Sequence, residues 1–186
     1  MTLKRFVCAA VGMALFATPG LACVGKTLIL GAVARPEGRV VAQILAVLIN
    51  ERTGTTVKIQ EFDGPDAAHD AMVRREVDIV VEAAGRALER LDLADPGAPK
   101  ARYDLAKEVY LERLNLVWLP PLGYGDADEG PAAPVARKDI LRKFPALPRL
   151  IAKTRGLVTD GVLATLADRG DPRKAARDFL RRRKLI

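Results

Sequence analysis

The sequence predicts an α/β protein, a three-layer αβα single lobe with a mainly parallel sheet of about five strands. Short β-rich runs alternate along the chain with longer stretches of helical spacing, which is the pattern of βαβ units. The composition, 49% hydrophobic and 28% charged, is that of an ordinary globular domain. A third observation sets the extent of the lobe. Lys4 and Arg5 precede an apolar run from Phe6 to Ala17, Thr18-Pro19-Gly20 breaks it, and small residues at Gly20 and Ala22 stand ahead of Cys23. That is a secretory signal peptide over 1–22, and it falls short of the roughly 20 residues that span a bilayer. It implies a periplasmic or extracytoplasmic location. Lipid anchoring at Cys23 is the less favoured outcome, because Gly20 stands where a lipobox has a larger aliphatic residue. The remainder, 23–186, is long enough to bury one substantial core.

The elements follow in order. Lys26 to Ala32 is a short strand ending near Gly31. Val40 to Arg52 places Val40, Val41, Ile44, Leu45, Val47 and Leu48 at helical spacing, and Thr53-Gly54 ends it as helix C-termini usually end. Thr56 to Phe62 alternates as a half-buried strand does. A helix over Ala67 to Arg75 takes Asp66 as its N-cap. Val77 to Val81 forms a third strand, Ala84 to Leu93 and Arg102 to Leu114 are helices, and Asn115 to Leu119 is a fourth strand. Gly125 to Ala133, within a stretch rich in Gly, Pro, Ala and acid, reads as a linker. Beyond it come a short strand at Pro134 to Arg137 and several basic helices. One is capped at Thr159-Asp160, and the last opens at Asp171-Pro172.

Counts exclude several function classes. One His and two Cys make a zinc site or a His-based triad improbable. The glycines of GAVARPEG have the wrong spacing for a dinucleotide fingerprint. His69, with Asp66 and Asp70 as helical neighbours, lacks a nucleophile. The chain therefore reads as a non-enzyme with no cofactor and no metal. From Val135 to Ile186 there are fifteen basic and five acidic residues. No aromatic residue is interleaved with Arg181-Arg182-Arg183-Lys184, and export argues against nucleic acid, so the run reads as a solvated helix end where cations are favourable.

The loops after the strands are the informative positions, because ligands of open α/β sheets bind outside the carboxyl ends of the strands. Those loops supply Arg35, Glu37, Asp63, Glu82 and Tyr124 as candidate ligand-binding residues, with Asp66 on the same rim.

The order of KTLILGAVARPEGRVVAQILAVLINERTGTTV, DAAHDAMVRREVDIVVEAAGRAL, LNLVWLPPLGYG and PVARKDILRKFPAL resembles the solute-binding proteins of glycine betaine, choline and proline ABC transporters. The resemblance implies a periplasmic-binding-protein-like fold of the second type. It also implies a quaternary amine or related small cationic or zwitterionic ligand, and an ABC transporter membrane component as partner. Two departures stand out. Relatives build a whole second lobe after the NLVWLPP-like strand, where this chain has the 125–133 linker. They also follow the third strand with an acid and Tyr-Thr-Gly, where this chain has Glu82-Ala83-Ala84-Gly85, so the aromatic ring of the cage is lost. The expected function is an exported solute-binding protein with a reduced, weak ligand site. The alternative is an exported interaction module that uses the lobe as a scaffold for a protein partner. An apolar strip at Pro120, Pro121, Leu122 and Tyr124 beside the rim would pair two copies as a homodimer.

Overall fold

The computed structural model describes residues 27–125 and 129–186. The signal-peptide segment, Cys23, Lys26, Asp126 and Asp128 lie outside the described residues.

Five strands form one sheet in the order β2-β1-β3-β5-β4. They are β1 (Thr27–Val33), β2 (Thr56–Phe62), β3 (Ile79–Ala83), β4 (Leu116–Trp118) and β5 (Ala132–Arg137). β1 pairs in parallel with β2 and with β3, while β5 lies antiparallel between β3 and β4. Four of the five strands therefore run the same way, and only β5 returns against them. β5 starts at Ala132, so Ala132 and Ala133 belong to the strand rather than to the linker expected over 125–133.

Alternation along each strand divides the interior. Leu28, Leu30 and Ala32 of β1, with Ile79 of β3, face one layer of helices. Val80 of β3, with Ala133 and Val135 of β5, faces the other. The first layer holds α1 (Pro36–Thr53), α6 (Leu147–Ile151), α7 (Asp160–Ala167) and α8 (Pro172–Arg182). The second holds α2 (Pro65–Val73), α3 (Ala84–Arg90) and α4 (Pro99–Leu114). The short α5 (Lys138–Lys143) follows β5 directly. The three-layer αβα reading is observed, and the described residues form one such unit.

Three local expectations shift for physical reasons. α1 and α2 start at Pro36 and Pro65, because proline already holds the helical φ and needs no donor in the first turn. Gly64, not Asp66, is the α2 cap, which frees the Asp66 carboxyl for a partner elsewhere. β3 starts at Ile79 rather than Val77 because the Asp78 side chain takes over the ladder. Its carboxyl accepts from the Ile29 amide at 2.8 Å and pairs with Arg137 at 3.0 Å.

The end of β4 is fitted to the turn before α7. Gly123 sits at φ 115°, and a Cβ there would lie 2.7 Å from the Gly156 Cα. Next to it the Val158 amide donates to the Leu122 carbonyl at 3.2 Å. Only glycine meets both demands without strain. Gly123→Ala is therefore expected to cost about 1–3 kcal/mol in urea unfolding, and wild-type stability in that variant would show that the two loops are not held together.

Candidate functional site

All four co-directional strands end on one edge of the sheet, and α1, α2 and α3 begin there. Across that edge the chain arriving from β4 and the start of α7 complete a cleft of about 310 Å³. Its walls carry Arg35 from the β1–α1 turn, Glu82 from β3, Arg86 and Arg90 from α3, Tyr124 from the loop after β4, and Asp160 from the first turn of α7.

Three of the five residues expected from the sequence, Arg35, Glu82 and Tyr124, are brought together here. Glu37 and Asp63 are not. Both are exposed and lie outside the cleft lining. Glu37 sits in the first turn of α1, where an acidic side chain favours the helix dipole. Asp63 lies in the turn before α2.

Glu82 is not a rim residue in a loop but a buried residue inside β3. Its Oε1 lies 2.9 Å from Nδ1 of His69, a buried residue of α2. Its Oε2 accepts from the Tyr110 hydroxyl at 2.8 Å and from Arg90 Nη1 at 3.0 Å. Arg90 donates in turn to Asp66 at 2.7 Å. His69 thus has Glu82 as its partner, not the helical neighbours Asp66 and Asp70. Burial works against the charge on Arg90, yet the Glu82 charge and the Asp66 hydrogen bond outweigh it and hold the guanidinium above its ordinary pKa. Hydrogen bonding to Arg90 keeps the Asp66 carboxyl below its ordinary range. Burial, reinforced by the Glu82 charge, pushes the Tyr110 hydroxyl up. A buried acid with three donors converging on it is a satisfied network, and it braces β3, α2, α3 and α4 against each other beneath the cleft.

Arg86 pairs with Glu129 at the cleft mouth. Tyr124 is partly buried against the core, and that burial raises its hydroxyl pKa. Beneath the network, Trp118 stacks edge-on against Tyr110 and Tyr103, with centroids 5.5 and 6.0 Å away. It is a core residue, as its place inside a strand implies. Of the strip at Pro120, Pro121, Leu122 and Tyr124, Leu122 does not face outward: it is 1% exposed, and the half-buried Tyr124 packs against the core. Pro120 and Pro121 are half-buried.

Arg86, Arg90 and Asp160 were not found from the sequence. Glu82, Arg86 and Arg90 recur every four residues across a strand–helix junction, a spacing that sets the two arginines on one face of α3. That repeat was the available signal. Among the described residues no group of His, Cys, Asp and Glu could hold a metal ion, and no helix is long and apolar enough to cross a membrane.

A family model described as the substrate binding domain of an ABC-type glycine betaine transport system matches residues 26–130. The chain belongs to this family. The family is a solute-binding one, and its matched span contains the β1, β2, β3 and β4 strand ends and the Glu82 network. No curated protein matches the sequence. Among solved structures the chain is similar to the crystal structure of a glycine betaine/carnitine/choline ABC transporter, with TM-score 0.76 and 13% identity over 86% of this chain and 98% of that one. It is also similar to apo YehZ from Escherichia coli, with TM-score 0.72 and 14% identity over 86% and 99% of the two chains. Lactococcal OpuAC in a closed conformation with glycine betaine gives TM-score 0.50 and 11% identity over 86% and 96%. At such identities these structures establish the fold alone.

Proposed function

We propose that the chain is an exported solute-binding component of an ABC transporter that takes a small zwitterionic or cationic solute in the strand-end cleft. The observation that carries this reading is the coincidence of two findings. The residues matched to the family include the strand ends that build the cleft, and the cleft is where open α/β sheets bind ligands. The connection between β4 and β5 is short, and in this reading it stands where two-lobed relatives build a second lobe. The signal-like segment over 1–22 would deliver the lobe outside the cytoplasm.

Affinity is expected to be low. Small-molecule sites normally bury roughly 70–90% of their ligand, whereas one wall of one lobe covers far less. A cation held on the single ring of Tyr124 would gain about 0.5–1 kcal/mol, and micromolar binding needs roughly 8 kcal/mol. A thermal-shift screen over glycine betaine, choline, carnitine, proline and polyamines tests the reading, since any ligand that binds only the folded state raises its melting temperature. At least one of these should raise it at millimolar concentration. Sub-micromolar betaine binding by calorimetry would refute the open-cleft account. No shift from any of them would leave the lobe as a scaffold for a protein partner.

A further inference from the structure

Most charges lining the cleft are spent on one another. Arg86 pairs with Glu129, and Arg90 pairs with both Glu82 and Asp66. Two are not: among the described residues Arg35 and Asp160 form no ion pair. Each sits at a helix start without supplying a side-chain cap there. Arg35 occupies the cap position of α1 and makes no side-chain cap bond. Thr159 supplies the α7 cap by accepting from the Val162 amide, so the Asp160 carboxyl, an acid in the first turn, makes no cap bond. Both residues line the cleft together with Tyr124, and their charges act on its hydroxyl in opposite directions, Arg35 lowering its pKa and Asp160 raising it. Among the described residues, a cation and an anion without ion-pair partners therefore line one cleft.

Resting on the solute-binding reading above, we infer that the cleft selects a zwitterion whose amine carries N–H groups, a free amino acid, over a quaternary ammonium, with Arg35 taking the carboxylate and Asp160 the ammonium. The chemistry of the walls separates the two classes. An ammonium donates charge-assisted hydrogen bonds to a carboxylate, roughly twice as strong as neutral ones. A trimethylammonium has no donor and is normally recognised by a cage of aromatic faces. Among the described residues, Tyr124 is the one aromatic side chain in the lining. Trp118 and Tyr110 are fully buried beneath it, and the Tyr103 hydroxyl donates to the Leu119 carbonyl. A volume of about 310 Å³ is at the small end of ligand sites, which suits an amino acid of modest size.

The experiment is an N-methylation ladder. Glycine, N-methylglycine, N,N-dimethylglycine and glycine betaine share one carboxylate and lose one donor at each step. Proline and its N,N-dimethyl derivative repeat the comparison with a larger ligand. Calorimetry on the full chain should show affinity falling along the ladder, by about tenfold or more from first to last. Asp160→Asn should flatten the ladder, while Arg35→Gln should weaken every member alike, because the carboxylate is common to all. Both residues are exposed, so neither change should disturb folding, which unchanged melting temperatures would verify. Affinity that is constant along the ladder or highest for betaine overturns this inference and leaves the solute-binding reading standing. A ladder that Asp160→Asn fails to flatten overturns the role of Asp160. No binding of any member to the wild type overturns both.

Discussion

Replacing Glu82 by alanine is expected to cost about 3–5 kcal/mol of folding stability, the range for removing one partner of a buried charge pair. The carboxyl is 5% exposed and accepts from three directions. Its loss would leave the Tyr110 hydroxyl proton without its acceptor and His69 without its hydrogen-bond partner, both in the interior. Arg90 would keep the Tyr110 hydroxyl at 2.8 Å and Asp66, whose side chain is 70% exposed, but would lose its buried counter-charge. Asp66→Ala is the control: it removes a solvated pair, and such pairs contribute at most about 1 kcal/mol. Urea unfolding of both variants reads the contrast. Equal, small losses would mean that the network beneath the cleft has no structural role.

The second large effect is expected at Trp118. Trp118→Ala should cost about 3–5 kcal/mol, as for other large aromatic deletions in packed cores. The indole is 2% exposed and bridges Tyr110 on one side to Tyr103 on the other. Tyr110 in turn meets the His69 ring edge-on with centroids 5.6 Å apart, so the stack ties β4 to the floor of the cleft. Trp118→Phe should cost less than half as much. It preserves a ring in the stack and removes the indole N–H, which is buried without an acceptor. Comparable losses from both substitutions would show that a smaller ring does not sustain the stack and would contradict this account.

Much of the fold was legible because periodicity reports burial. The alternation in TVKIQEF and the helical spacing in VVAQILAVLINER each survive as β2 and α1. The direction of β5 was not legible, since AAPVAR carries no mark of which way it runs. The short turn-back after β4, through glycines with positive φ at Gly123, Gly125 and Gly130, decides that. The start of β3 was misplaced because Asp78 looks like a strand residue in VDIVV and instead uses its side chain to replace a ladder bond.

The site divides in the same way. Arg35, Glu82 and Tyr124 were visible because they follow or end strands. Arg86 and Arg90 looked like solvated cations of a short helix, since nothing local shows that Asp66 and Tyr110 approach from other elements. The pairing of His69 with Glu82 crosses from α2 to β3 and has no spacing signature. Asp160 is hidden by its neighbour: Thr159-Asp160 reads as a helix cap, but Thr159 alone makes the cap bond. Its place in the site follows only once the fold sets it in the same cleft as Arg35 and Tyr124.

The central claim is that solute binds at the strand-end cleft. The structure offers a competing cavity, a wider groove of about 540 Å³ between α7 and α8, with Arg169, Arg182 and Arg183 along it. Amide chemical-shift mapping, with proline and glycine betaine titrated separately into the isotopically labelled protein, discriminates between them. The account predicts saturable shifts concentrated at Arg35, Arg86, Tyr124 and Asp160, larger for proline than for betaine at equal concentration. Shifts confined to the α7–α8 groove, or none at either place at saturating ligand, would contradict it.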